Sequence, residues 1–124
     1  HGHAGDYPSY IKTLSQYDQW IKELTDYLDS SGEYGKNTLL LITTDHGRGY
    51  KKHTWSGHGL PYPHSKLIWM YARGKGVTPG RAPASTDKAS NTFSHNDIRP
   101  TIEKALGFEP NKGYPGRPLP GVEY

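Results

Sequence analysis

The stretch TLLLITTDHGRG, residues 38–49, constrains the fold more than any other part of the chain. Four consecutive apolar residues begin at Leu39, a run typical of a strand covered on both faces, as in a parallel sheet. The run leads into Asp45 and His46, two side chains that can bind a metal, and then into Gly47. We therefore predict a strand over residues 38–44. In open α/β sheets ligands bind at the carboxyl ends of strands, so this strand end is a candidate site.

The other regular elements are predicted from periodicity and caps. Apolar residues spaced three and four apart predict a long helix over residues 8–30, capped by Asp6 and stopped at Gly32. Asp18 lies on the apolar stripe of that helix, which favours a buried carboxylate bonded to a backbone amide over a role in supporting a metal ligand. The run KLIWMYA, residues 66–72, predicts a second strand. Asp97 is expected to cap a short helix that runs to Leu106.

Three segments have no regular pattern. Residues 45–65 form a loop of about 20 residues, a length that is uncommon in compact domains and usually functional. Residues 74–91 are rich in Gly, Pro and Ser and are expected to form a surface excursion. The C-terminal tail, residues 111–124, has no periodicity, and the chain has no internal repeat.

Composition excludes several classes of function. The chain has 124 residues, enough for one domain at most, and its net charge of +3 includes no Lys/Arg block. We therefore expect no nucleic-acid partner. No apolar run approaches the ~18 residues of a membrane span, so we expect no membrane partner. The absence of Cys excludes disulfides and thiolate metal sites. Seven His are the one unusual feature.

Each candidate residue also has a purely structural interpretation. Asp45 could simply cap a turn, and His46 could be an ordinary hydrogen-bonded loop residue. His58 is more suggestive, because the glycines on both sides of it expose the imidazole and allow close backbone approach. His53 and His64 have polar or Pro neighbours and are expected to be surface residues. A metal site is favoured by the combination of Asp45, His46 and His58 with the segment HGHAGD at residues 1–6.

Three motifs in order resemble the C-terminal part of the alkaline phosphatase superfamily, most closely its phosphodiesterase, nucleotide-pyrophosphatase-like and sulfatase-like members. The motifs are TLLLITTDHGRG, SGHGLPYPHSKLIWMYARGKGV and HNDIRPTIEKALG. The resemblance extends over residues 2–107. It implies an α/β fold, namely a fragment of a three-layer αβα fold with a mostly parallel sheet, and a single partial domain over residues 1–124.

The resemblance also implies a two-metal site. Asp45 and His46 would bind one metal, and His3 and His58 would bind the other; His3 is preferred to His1 because small residues follow it directly. Asp97 would be a helix cap and no ligand. The metals would be divalent, zinc first, with manganese or calcium as alternatives. Sulfatases of the family carry Asn at the position of His46 and use a single calcium, so His46 favours a phosphatase or phosphodiesterase.

The family's nucleophile and its remaining metal-binding aspartates have no counterpart in the chain. We therefore expect a C-terminal fragment of a hydrolase of phosphate or sulfate esters that is inactive alone. Its expected partners are the ester substrate and the missing N-terminal half, or a second copy joined through exposed sheet edges. The alternative is a non-catalytic metal-binding or interaction module that reuses the half-fold. The resemblance suggests a periplasmic or secreted location.

Overall fold

The computed structural model describes residues 1–80 and 93–123. Within these two ranges lie three helices, α1 (Tyr7–Ser30), α2 (Glu33–Lys36) and α3 (Ile98–Ala105), and two strands, β1 (Leu39–Thr43) and β2 (Met70–Gly74). Short 3-10 turns lie at Pro63–Lys66 and His95–Asp97. The predicted surface excursion extends into residues 81–92, which lie outside the described residues.

The long N-terminal helix has the bounds and the N-cap that the sequence predicts, to within one residue. Asp6 Oδ1 accepts a hydrogen bond from the Ser9 backbone N–H at 3.1 Å, and Pro8 lies in the first turn. The prediction of burial along this helix is wrong, since α1 has no buried residue. Asp18, predicted to be a buried carboxylate, is exposed. The reason is that the stripe around it is itself uncovered: Leu14 is 46% exposed and Trp20 is 51% exposed.

The two strands pair antiparallel, with Leu39 opposite Gly74 and Thr43 opposite Met70. The expectation of a parallel pair is therefore wrong for the described strands. A parallel pair needs a crossover, usually an α-helix, and the segment between these strands contains only one 3-10 turn. That segment folds back at one end of the sheet, where the Gly47 N–H donates to the Ser65 carbonyl at 2.9 Å.

The second strand begins later than predicted. Residues 63–66 form a 3-10 turn started by Pro63, so β2 occupies Met70–Gly74 and not residues 66–72. The residues of β1 are only partly buried, against the prediction of burial on both faces. The described residues form an α/β arrangement in which one two-stranded sheet accompanies the helices, and they do not form a three-layer αβα fold.

Among the described residues, α3 and the tail contain buried side chains. Thr101 is fully buried; its hydroxyl donates to the Asp97 carbonyl at 2.6 Å and accepts from the Leu119 N–H at 2.8 Å. Asp97 stands at the start of α3 as predicted, but its carboxylate accepts from Ser94 N (2.8 Å) and Arg117 N (2.9 Å). These bonds anchor the tail, whose residue Val122 pairs with Val77 just beyond β2.

No helix among the described residues combines the length and the apolar character that crossing a membrane requires.

Candidate functional site

The four predicted metal ligands come together at one end of the sheet. His3 Nε2 lies 3.3 Å from His58 Nε2, although 55 positions separate the two residues in the chain. The His58 ring stacks on the His46 ring with a centroid distance of 3.9 Å and an interplanar angle of 20°. His46 Nε2 is 3.3 Å from Asp45 Oδ2. The four side chains form a continuous group, called here the His–Asp cluster.

The end of β1 orients His46 within this cluster. His46 Nδ1 lies 2.8 Å from the Gly47 carbonyl oxygen, which can only accept a hydrogen bond, so Nδ1 carries the proton. In the neutral ring, Nε2 then presents a lone pair on the opposite edge. A backbone carbonyl that fixes the tautomer in this way is the usual support of a metal-binding histidine.

The two glycines after His46, Gly47 and Gly49, are explained by close packing. Neither Gly47 nor Gly49 has a positive φ. A Cβ at Gly47 would lie 2.2 Å from the His64 carbonyl oxygen and 2.6 Å from that of Leu67. A Cβ at Gly49 would lie 2.2 Å from the Thr54 carbonyl oxygen. The loop that carries His58 can therefore pack against the strand end only because side chains are absent there.

An aromatic group holds the N-terminal segment next to this loop. Tyr7 meets Trp55 edge-on at 5.2 Å, and Tyr10 lies 5.5 Å from the same ring. Because Tyr7 and Tyr10 begin α1, the contacts fix the segment before the helix, where His3 stands. These contacts bring His3, near the start of the chain, to the loop that follows β1.

Arg48 completes this support, and sequence reasoning missed it. Its guanidinium donates to the Ser56 carbonyl at 3.2 Å and lies over the Tyr10 ring, 5.6 Å from the centroid. Gly2 is buried against it, since a Cβ there would lie 2.6 Å from Arg48 Cζ. In the sequence, the position of Arg48 two residues after His46 could have indicated that it lies beside the cluster.

His95 is the second residue that sequence reasoning missed. Its Nε2–H donates to the Thr44 carbonyl at 2.7 Å, directly beside Asp45. His53 and His64, predicted to be surface residues, are exposed. The His64 ring lies against the Tyr50 ring, with a centroid distance of 4.3 Å and an interplanar angle of 52°.

The distances in the cluster fit metal ligation in pairs. Two ligand atoms bound to tetrahedral zinc at ~2.0–2.1 Å lie about 3.3–3.4 Å apart. Both the His3–His58 pair and the Asp45–His46 pair have ligand atoms 3.3 Å apart. A pair is still fewer than the three or four protein ligands of ordinary zinc sites. Within residues 1–80 and 93–123, no group of three or more His, Cys, Asp or Glu is arranged to hold a metal ion.

A comparison with protein families matches the sulfatase family model to residues 3–108, which is most of the chain. The chain belongs to the sulfatase family. The match begins at His3 and includes every member of the cluster, so the cluster lies wholly within the sulfatase region. This confirms the predicted superfamily and its hydrolase parentage. No curated protein and no solved structure matches the chain.

Two groups of this sulfatase-family site have shifted pKa values. The His46 backbone N–H, which donates to Asp45 Oδ1 at 2.8 Å, holds the pKa of that carboxyl below its usual value. Partial burial lowers the pKa of His58, and the nearby His46, His3 and Arg48 lower it further against the opposing effect of Asp45. Metal ligands must be deprotonated, so both shifts favour ligation.

The His58 imidazole is therefore expected to titrate below the ordinary histidine pKa of ~6.5. The unfolded chain takes up this proton at the ordinary pKa and the folded chain only at lower pH. The resulting stabilisation is thus present above pH ~6.5 and is lost as pH falls toward the folded pKa. NMR titration of the His58 ring in the metal-free chain measures this pKa, with the peptide SGHGL (residues 56–60) as reference. A folded midpoint at or above that of the peptide would contradict the prediction.

Proposed function

We propose that the chain is the C-terminal part of a metal-dependent ester hydrolase. His3 with His58, and Asp45 with His46, would hold two divalent metal ions, zinc first and manganese or calcium as alternatives. The observation that carries the proposal is the convergence of two ligand pairs, each with atoms 3.3 Å apart, from three separate segments of the chain. Such ions would supply, when bound, Lewis-acid polarisation of the ester and stabilisation of developing negative charge.

The residues of the chain would orient and attract the substrate. His46 keeps its Nε2 lone pair outward through its bond to the Gly47 carbonyl. Arg48 is half-buried beside the cluster, and within the described residues it forms no ion pair with a carboxylate. A guanidinium in this position is available to an anionic ester, whose phosphate or sulfate group it can bind bidentately.

The nucleophile would come from the rest of the protein. The two hydroxyls closest to Asp45 in the chain are already engaged in hydrogen bonds. Thr43 Oγ1 donates to the Trp69 carbonyl at 2.7 Å, and Thr44 Oγ1 donates to the His46 carbonyl at 3.1 Å. A hydroxyl held by a backbone carbonyl lacks the freedom to attack.

The uncovered face of α1 also supports a missing partner. Residues three and four positions apart along this helix remain between 41% and 54% exposed: Ile11, Leu14, Tyr17, Trp20 and Leu24. A stripe of this kind is usually the core-facing side of a helix, and a contiguous exposed apolar patch marks an interaction surface. We assign it to the missing N-terminal half, with self-association as the competing arrangement.

Of the two ester classes, the ligand set favours phosphate. Imidazole suits zinc, whereas calcium prefers oxygen ligands such as carboxylates and amide carbonyls. Three of the four cluster residues are histidines. The family match supports hydrolysis of sulfate esters as well, and the assay must therefore include both.

The chain alone is expected to be inactive. It should give no enzyme-like turnover of p-nitrophenyl phosphate, bis-p-nitrophenyl phosphate or p-nitrophenyl sulfate with Zn²⁺, Mn²⁺ or Ca²⁺. Turnover by the isolated chain that Asp45→Ala abolishes would refute the fragment hypothesis.

The longer protein that carries this chain should be active. There His58→Ala should lower kcat/KM by about a thousandfold, since metal stabilisation contributes several kcal/mol. His53→Ala is the matched control, because His53 is an exposed histidine of the same loop. Inactivity of the longer protein on all three substrates would favour the non-catalytic module.

A further inference from the structure

His95 is an exposed histidine whose ring reaches the end of β1. Its Nε2–H donates to the Thr44 carbonyl at 2.7 Å, although 51 positions separate the two residues in the chain. The ladder between the strands ends at the pair Thr43 and Met70, so Thr44 lies beyond it. Thr43 Oγ1 is 3.2 Å from the same carbonyl and only 2.7 Å from that of Trp69. The His95 ring is therefore the closer donor to the Thr44 carbonyl.

The backbone on both sides of His95 is itself held in place. The Asp97 carboxylate, in a residue that is only 5% exposed, accepts from the Ser94 N–H at 2.8 Å and from the Arg117 N–H at 2.9 Å. These bonds close the 3-10 turn that carries His95 and attach it to the C-terminal tail. The imidazole thus projects from an anchored segment, and its hydrogen bond connects that segment to the end of β1.

The Thr44 carbonyl belongs to the peptide bond that leads into Asp45. Because a peptide unit is planar, a hydrogen bond to this carbonyl restrains the plane that ends at the Asp45 Cα. Asp45 in turn makes two close approaches to His46: Oδ1 accepts from the backbone N–H at 2.8 Å, and Oδ2 lies 3.3 Å from Nε2. Rotation of the peptide plane would change both distances.

We infer that His95 is a positioning residue: through the Thr44 carbonyl it holds Asp45 in the orientation in which Asp45 and His46 bind one metal ion. The inference rests on the proposed function for the metal, but the orientation of Asp45 exists without metal. His3 and His58 lie on other segments, so the effect of His95 is expected at one ligand pair and not at both.

The first test uses the 124-residue chain without metal, in EDTA. The amide proton signal of His46 reports the hydrogen bond to Asp45 Oδ1. His95→Ala should move this signal most of the way toward its position in Asp45→Ala. His95→Gln should restore it, because the Gln side chain also ends in an N–H donor. An unchanged His46 signal in His95→Ala would overturn the inference.

The second test is a zinc titration at pH 7.5, followed through the Nε2 signals of His46 and His3. Loss of a group that orients a metal ligand usually costs 10- to 100-fold in affinity, and His95 acts through a backbone carbonyl, so we expect the lower end. His95→Ala should raise the zinc concentration at half-change about tenfold for His46 and less than about twofold for His3. Equal changes at both histidines would reveal a general structural effect and overturn the inference.

Two control variants leave the Thr44 carbonyl untouched. Glu103 accepts from Arg99 Nε at 2.7 Å and from the Asn111 N–H at 3.2 Å, so Glu103→Gln weakens the attachment of α3 to the tail. His53→Ala removes another exposed histidine. Neither variant should move the His46 amide signal or change its zinc response by more than about twofold.

A shift of the His46 signal in Glu103→Gln as large as that in His95→Ala would overturn the inference. Failure of the proposed function would look different: zinc would act on neither His46 nor His3 in the unaltered chain. The effect of His95→Ala on the metal-free His46 signal would then persist and still support the role of His95 in orienting Asp45.

Discussion

Gly47→Ala is expected to lower the melting temperature of the chain by roughly 10 °C and to abolish its zinc binding. The added methyl group would lie 2.2 Å from one backbone carbonyl oxygen and 2.6 Å from another, those of His64 and Leu67. Backbone atoms in a packed loop cannot move aside as a flexible side chain can. Overpacking of this kind costs about 1–3 kcal/mol, and the double overlap places Gly47 at the upper end. The displaced loop would carry His58 away from His46.

Thermal unfolding followed by circular dichroism measures the first effect, and calorimetric zinc titration measures the second. Gly80→Ala is the matched control, because Gly80 has no positive φ and, among the described residues, no atom beyond its chain neighbours would lie within 4 Å of its Cβ. If Gly47→Ala unfolds and binds zinc as the Gly80 variant does, the close packing described here is not what holds the strand end to the loop.

Zinc binding by the isolated chain is expected to be weak and to depend strongly on pH. Four-ligand zinc sites bind with about 10–16 kcal/mol. A site with two protein ligands should reach about half of that, which corresponds to a dissociation constant between ~1 µM and ~0.2 mM. Between pH 7.5 and 5.5 the affinity should fall by about 10- to 100-fold as ordinary imidazoles take up protons. The lowered pKa of His58 moves the expected loss toward the smaller value.

Single substitutions distinguish zinc binding at this site from nonspecific zinc binding to surface histidines. His3→Ala and His58→Ala should each eliminate measurable binding at the pair they form, whereas His53→Ala should leave the affinity unchanged within twofold. Nanomolar affinity of the unaltered chain at pH 7.5 would show that the site is complete without the N-terminal half, and the fragment hypothesis would be wrong.

Elements with strong local signals were predictable from the sequence. The long helix has its Asp6 cap and regular apolar spacing, and the structure ends it at Ser30 as predicted. The predicted strand 38–44 exceeds the observed β1 by one residue at each end. The association of Asp45, His46, His58 and His3 followed from the strand end and, for the pairing itself, from the family resemblance. Whether they bind metal stays a prediction.

Properties that depend on distant parts of the chain were not predictable. Strand direction is set by how residues 44–69 fold back, through hydrogen bonds such as that from the Gly47 N–H to the Ser65 carbonyl. An apolar run in the sequence does not indicate the direction of the strand. The exposure of Asp18 depends on what covers α1, which periodicity cannot report. Arg48 and His95 act through backbone carbonyls of Ser56 and Thr44 that only the folded chain brings near them.

The central claim is that two ligand pairs in one cluster bind divalent metal while neighbouring histidines do not. The most direct measurement is a zinc titration at pH 7.5 followed through the side-chain nitrogen signals of every histidine. We predict that Nε2 of His3, His46 and His58 shifts with zinc while the signals of His53 and His64 stay in place. A response confined to His53 and His64, or one equal at all histidines, would contradict the account.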